Sequence, residues 1–299
     1  MSRALKGKSA GRRFPVYLVP PVACVAAVGV YLGVGHSPAP SDGPDGKAPH
    51  VRREPPGPAD TGVPGGVALT PGDTMTINEA GRLVEGLDID GPVVIAADDV
   101  TLRRSRVTTG DYWAVKVMPG HTGVVVEDVE IDGQEGCDAG LGGSEGSAFT
   151  ARRVNIHGCA DGVKAGNDTL IEGSWIHDMR VVAPGPDGRP EGSHNDGVQV
   201  SGPLHDVTIR GNNFQNVGTN SSIQAKNDFG GGIDGLLIEG NWMEGGGYAL
   251  YVWDSSQVTV RDNRFRRNAA YGIASLLHNP GPLVQSGNVW DDDGRPVTL

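Results

Sequence analysis

VTIRGNNF (Val207–Phe214), LLIEGNWM (Leu236–Met243) and VTVRDNRF (Val258–Phe265) are three copies of one eight-residue phrase. Five more segments align with them: VTLRRSRV from Val100, VVVEDVEI from Val124, FTARRVNI from Phe149, TLIEGSWI from Thr169 and LVQSGNVW from Leu283. Successive starts lie 24, 25, 20, 38, 29, 22 and 25 residues apart. A period of this length means one supersecondary unit per repeat. Positions one and three of the octets are mostly Val, Ile or Leu with polar residues between them, the alternation of a half-buried strand. No helical periodicity of comparable length occurs in the body.

A second short strand precedes each later octet: WAVKV from Trp113, AGLGG from Ala139, DGVKA from Asp161, DGVQV from Asp196, SSIQA from Ser221 and YALYV from Tyr248, with YGIAS from Tyr271 before the last. Short strands joined by Gly-rich bends cannot bury a core alone. Stacked as coils they share one core and pair in parallel along the axis. The expected fold is therefore all-β: a single-stranded, right-handed parallel β-helix over residues 67–299.

Composition agrees. The 299 residues include 47 Gly and 21 Pro, almost double the usual share of roughly 12 %, which argues against a helical bundle. The first 34 residues hold five basic residues and no acid, and the rest holds 20 basic and 36 acidic, a net charge of −16. So acidic a body excludes nucleic acid as a partner, because phosphate neutralisation needs clustered Lys and Arg.

Four segments follow: a basic cytoplasmic stretch (1–13), an apolar stretch (14–34), a linker (35–66) and the repeat domain (67–299). Phe14–Val34 is uncharged and long enough to cross a bilayer. It reads as a single-pass membrane anchor with the N-terminus inside. The alternatives are a cleaved export signal, giving a secreted protein, and a lipid-modified Cys24. All three export the body. The linker carries eight prolines between His36 and Gly66 and reads as a disordered spacer, on the order of 90 Å if fully extended.

Two details set the register. Octet position six is Asn212, Asn241, Asn263 and Asn288 on the last four coils, an expected inward ladder of amides ~4.8 Å apart; Gly-Asn and Asp-Asn also favour a turn. Cys137 and Cys159 each stand two residues before aligned strands. Neighbouring coils bring them within disulfide range, and in an exported domain the bond is expected. Two stacked free thiols are the alternative.

The octets resemble the repeats of the pectate-lyase-like (pectin-lyase-fold) superfamily from about Leu87 to the C-terminus. That resemblance implies the β-helix fold and a range of activities that includes lyases, hydrolases, epimerases and adhesins. Two of the superfamily's site patterns are not matched: no outward Arg stands where pectate-type lyases carry one near their Ca²⁺ cluster, and only Asp161 and Asp196 align where polygalacturonase-type hydrolases carry three Asp.

If the valines of DGVQV point inward, then Gly197, Gln199 and Ser201 point outward. Carried along the stack, this gives an outward column of Lys116, Gly142, Lys164, Gln199, Gln224, Tyr251 and Ala274, with Ser201, Lys226 and Trp253 beside it. Amides bond sugar hydroxyls and ring faces cover sugar C–H surfaces, so Gln199, Gln224, Lys226, Tyr251 and Trp253 are candidate glycan-binding residues. A plain solvated sheet face also carries Lys and Gln.

The longest interval contains Arg180–Asn195, a loop expected to overhang this face and deliver Ser193, His194 and Asn195 to its lip. Asp161 aligns with Asp196. Paired carboxylates either share a proton or hold a hard cation such as Ca²⁺, though Asp-Gly also simply makes a bend. The candidate catalytic set is Asp161, Lys164, His194 and Asp196, with Lys164 or Lys226 as base or charge neutraliser and His194 as alternative base. No cofactor is required, unless Asp161 and Asp196 hold Ca²⁺. His157 and His177 form a second expected column with Asp132 and Gln215, read as a solvated pair. The overall expectation is a monomeric, exported surface protein that binds or cleaves a polysaccharide by β-elimination or hydrolysis. The alternative is a non-catalytic glycan-binding or structural module.

Overall fold

Each octet folds into two short strands around a sharp bend, not one strand. In the computed structural model, which describes residues 54–143, 147–184, 190–215, 217–218 and 220–299, octet position five has a positive φ in every repeat. These residues are Arg104, Asp128, Arg153, Gly173, Gly211, Gly240, Asp262 and Gly287, with φ from 46° to 64°. Glycine accepts that conformation freely and Asp at modest cost, which explains why this position holds Gly or Asp in six repeats. Positions one and three point inward before the bend; positions six and eight do so after it.

The coils stack into three faces. The first is a nine-stranded sheet running from Leu83–Glu85 through Phe149–Arg152 and Leu204–Arg210 to Val284–Ser286. The second holds the post-bend strands, among them Arg106–Thr108, Trp175–His177 and Val289–Trp290. The third holds Trp113–Val117, Asp196–Ser201, Ser221–Lys226, Tyr248–Trp253 and Gly272–Leu277. Glu130–Gly142 and Asn155–Lys164 run unbroken round the corner, so the second and third faces count as one 15-stranded sheet. Neighbouring rungs pair in parallel. The core inside contains Leu102, Ile131, Ile156, Ile176, Phe214 and Phe265, all fully buried.

The asparagine ladder forms. The Asn212 amide nitrogen donates to Asn241 Oδ1 at 3.0 Å, Asn241 donates to Asn263 Oδ1 at 3.0 Å, and Asn263 donates to Asn288 Oδ1 at 3.1 Å. Each side chain also donates to a carbonyl of the preceding coil, as Asn241 does to Ile209 at 2.9 Å. Ser174 continues the column at the same position, its N–H donating to Asn212 Oδ1. Cys137 and Cys159 are in register and disulfide-bonded, with Cα atoms 4.4 Å apart.

A ladder of a different kind lines the outside of the first face. Octet position four and its register partner Glu85 read Glu85, Arg103, Glu127, Arg152, Glu172, Arg210, Glu239 and Arg261 in rung order. The sign alternates at every step. Arg152 and Arg210 both reach Glu172, at 3.2 and 2.9 Å, and Arg261 reaches Glu239 at 2.9 Å.

One boundary differs from expectation. Residues 54–66 belong to the folded unit rather than to a free linker. Pro56 and Gly62 are buried and Thr61 is 6 % exposed. The Pro56 carbonyl accepts from Asn213 Nδ2 at 2.9 Å, and the Gly62 N–H donates to the Arg153 carbonyl at 2.9 Å. Proline content hid this, because a strap needs only a few backbone groups to dock. The remainder of the linker and the apolar stretch 14–34 lie outside the described residues. Among the described residues no helix is long and apolar enough to cross a membrane.

Two stability outcomes follow. Asn241→Leu strands the Ile209 carbonyl and the Asn212 N–H, so urea unfolding should show a loss on the order of 3 kcal/mol. Replacing Cys137 and Cys159 together by serine should cost about 3 kcal/mol in the chain-entropy model. A non-reducing peptide map should recover the two cysteines in one linked fragment.

Candidate active site on the third face

The third face concentrates side chains of one character. All three lysines of residues 67–299 (Lys116, Lys164 and Lys226) lie here, as do all four tyrosines of that domain (Tyr112, Tyr248, Tyr251 and Tyr271). The outward column forms in the expected order from Lys116 through Gly142, Lys164, Gln199 and Gln224 to Tyr251. Its last member is Ser275 and not Ala274, because Tyr248 pairs with Gly272 and shifts the final strand by one residue. Ser275 Oγ then accepts from Trp253 Nε1 at 3.1 Å. Lys226 Nζ sits 4.8 Å from the Tyr251 ring centre and 4.5 Å from that of Trp253, within cation–π reach.

The strict in–out alternation assumed for DGVQV breaks at its second residue. A Cβ on Gly197 would lie 2.5 Å from Phe214 Cδ1, and one on Gly162 would lie 2.5 Å from Ile176 Cγ2. Both glycines therefore face the core, not solvent, and only Gly leaves room for the large side chains opposite. The break turns the preceding Asp161 and Asp196 away from the core and toward the third face. Without it they would point inward with Val163 and Val198.

Asp161, Lys164 and Asp196 come together in one buried row. Lys164 Nζ is 2.7 Å from Asp138 Oδ2 and 3.2 Å from Asp161 Oδ2. Asp161 Oδ1 accepts the Asp196 backbone N–H at 3.0 Å. The Asp196 carboxylate accepts from Asn220 Nδ2 at 2.8 Å, from Gln224 Nε2 at 2.9 Å and from Ser221 Oγ. Asp161 is 5 % exposed and Asp196 fully buried. Tyr112 and Trp113 lie over Lys164, each ring centre 5.7 Å from Nζ.

Burial raises both carboxyls above the usual aspartate range. Asp161 is pushed up to about 6, mainly by desolvation and against the pull of Lys164. Asp196 is pushed up to about 8 by desolvation and by the Asp161 charge, which together outweigh its three donors. For Lys164, burial works against the charge, but Asp161 and Asp138 overcome it and hold the ammonium above its ordinary value. At neutral pH Lys164 is therefore a fixed cation. A cation held in this way between Asp138 and Asp161 is chemically suited to offsetting negative charge rather than to taking up a proton.

Calcium does not fit the Asp161–Asp196 pair. Every carboxylate oxygen there already faces an N–H, O–H or ammonium donor, which is the surrounding of a hydrogen-bonded carboxyl and not of a cation cage. Among the described residues, the one group with metal-like spacing is Asp168, His205 and Asp206, all exposed and away from this row. His194 is exposed on the loop. The loop is closed at its base by the Ser193 N–H on the Val182 carbonyl, and its tip, 185–189, lies outside the described residues. His157 and His177 are neighbours as expected, 5.2 Å apart on the second face, but they are not a solvated pair, because His177 is buried. There His177 stacks on Trp175 at 3.5 Å and shares hydrogen bonds with Asp178 and Asn155, so its ring nitrogens are engaged.

Sequence reasoning missed Asp138, Asn220 and Ser221. Asp138 is visible only as the residue after Cys137; nothing in its spacing says that Lys164 reaches back one coil to meet it. Ser221 had a usable signal, since it aligns with Asp196 in the stack.

The chain matches the family model of the right handed beta helix region over residues 139–291, just over half of its length. It belongs to that family, which also fixes the handedness of the coil. No curated protein matches the chain.

The row also couples stability to pH. An unfolded Asp titrates at about 3.9, so raised carboxyls bind protons more tightly in the folded chain. Their stabilisation is complete below about pH 4 and is lost as pH rises through about 6 for Asp161 and about 8 for Asp196. The unfolding free energy from urea titrations should therefore fall between about pH 4 and 8.5, by several kcal/mol in total at ~1.4 kcal/mol for each pH unit over which a carboxyl stays protonated only in the fold. Asp196→Asn should flatten the upper half of that fall, and an unchanged profile would mean that Asp196 is ionised in the native protein.

Proposed function

We propose that this is an exported surface protein whose third face binds a polysaccharide lengthwise and cleaves it at the row Asp161, Lys164 and Asp196. The observation that carries the reading is a carboxyl that keeps its proton at neutral pH beside one that gives it up, both under the one face rich in aromatics and lysine. Carboxyls driven apart in this way supply an acid and a base at the same pH. In hydrolysis, Asp196 protonates the leaving glycosidic oxygen while Asp161 activates water, and the C1–O bond is replaced by C1–OH. In β-elimination, Asp161 removes the C5 proton of a uronate, the C4–O bond breaks, a C4=C5 double bond forms, and Asp196 protonates the departing oxygen. Lys164 offsets the uronate charge in that case. Gln199 holds the sugar beside the cut, and Lys226, Tyr251 and Trp253 hold it on the coils that follow. The stretch 14–34 carries the domain across the membrane and anchors it there.

A second reading is a non-catalytic glycan-binding module. The burial of Asp196 favours it, because a substrate must displace Gln224 or Asn220 to meet that carboxyl.

Incubating the full-length protein in detergent with uronic and neutral glycans separates the two. New enone absorbance means elimination, new reducing ends alone mean hydrolysis, and retention without product means a binder. Asp196→Asn is expected to cut turnover ~100-fold or more while retention persists; full activity in that variant removes Asp196 from the chemistry. Trp253→Ala should weaken retention in every case.

A further inference from the structure

The first face carries a two-rung pattern that intramolecular pairing explains only in part. Beside the alternating Glu–Arg ladder runs a second outward column, octet position two. Over its central rungs it reads Val125, Thr150, Leu170, Thr208, Leu237 and Thr259. An aliphatic side chain marks each Glu rung and a threonine each Arg rung. The ladder's own ion pairs account for the charges. They give no reason for large and small side chains to alternate in step with them, half-exposed, on the outside of the molecule.

A surface with this pattern is complementary to itself. Consider a two-fold axis lying along the strand direction and passing between two adjacent rungs. Rung order reverses in the second copy, each column falls on itself, and every Glu rung meets an Arg rung. Leu then lies on Thr, large on small, and Glu on Arg. If the axis passed through a rung, like would meet like. The ladder is also electrically suited, because its four Glu and four Arg cancel while the body as a whole is strongly acidic. Two copies approaching by any other broad acidic surface repel one another.

We propose that the first face is a homodimer interface in which two solenoids pack antiparallel, with Leu170 of one copy over Thr208 of the other. This arrangement replaces the monomer expected from sequence and leaves the third face of each copy free. Nine rungs at ~4.8 Å and strands about 10 Å wide give roughly 400 Å² per copy. The total of roughly 800 Å² is below the ~1,200 Å² of stable complexes, so the dimer is weak and reversible. Tethering to one membrane would raise its effective concentration.

Sedimentation velocity of the full-length protein in detergent, over a wide concentration range, tests this. A concentration-dependent dimer is expected. The double variant Leu170→Arg/Leu237→Arg should weaken it at least ~10-fold with an unchanged thermal midpoint, and Lys226→Glu on the third face should leave it intact. In a Cys24→Ser background, a mixture of Leu170→Cys and Thr208→Cys chains should cross-link to each other faster than either does to itself. A monomer at every concentration, or a dimer indifferent to the first-face substitutions, overturns the proposal.

Discussion

The constraint on which the rest depends is in-register parallel stacking. Every side chain has the same position of the next coil about 4.8 Å above it and of the previous coil about 4.8 Å below. A residue is therefore chosen less for its own solvation than for compatibility with two fixed neighbours. Buried amides satisfy the constraint by bonding to one another, and Asn212, Asn241 and Asn263 each send one N–H to the next amide and one to a backbone carbonyl. Charges meet it by alternation, since like charges directly opposite one another destabilise a sheet. The unbroken Glu–Arg sequence of the first face is the result.

The third face departs from this economy. In the ladder of the first face every glutamate has an arginine above or below. On the third, three acids share the Lys164 region, and Asp196 sits behind neutral donors. Asp196 is fully buried, and among the described residues its hydrogen-bond partners are uncharged. Retention of a buried carboxyl, with a native protonation state opposite to that of an exposed Asp, is the pattern of groups kept for chemistry. It is also the pattern of a site that weakens the fold as pH rises, because burial and the Asp161 charge oppose its ionisation.

The repeat was legible because stacking makes it redundant: eight octets report the same geometry, and errors in one are corrected by seven others. The Cys137–Cys159 bond and the asparagine ladder were legible for the same reason, each being one letter repeated at a fixed rung position. What could not be read was whatever breaks the repeat. Alternation along DGVQV fails at Gly197 because Phe214 fills the space opposite, and that phenylalanine is 17 residues away on another strand. Strap residues Pro56 to Gly62 carry no periodicity, so their docking against Asn213 and Arg153 left no trace in composition. Asp138 meets Lys164 diagonally between coils, a relation that an alignment of rungs does not display.

The division between lysine and arginine bears on how the proposed polysaccharide ligand would be held. The charge-ladder arginines lie on the first face and are engaged by glutamates; the lysines lie on the third, and two of the three rest on aromatic rings without a carboxylate partner among the described residues. Arginine's planar fork suits a fixed, bidentate partner, whereas a lysine over a ring keeps its hydrogen-bonding directions available. An acidic body repels an acidic glycan at long range, so capture depends on what the third face offers within a Debye length of about 8 Å. There Lys116 and Lys226 flank the fixed cation Lys164 along the axis, with Trp113, Tyr251 and Trp253 beside them. Attraction is thus local and linear, matched to an extended chain lying along the solenoid and poorly matched to a compact anion. The same geometry that makes rungs repeat makes the third face a track of lysines and aromatic rings along the axis.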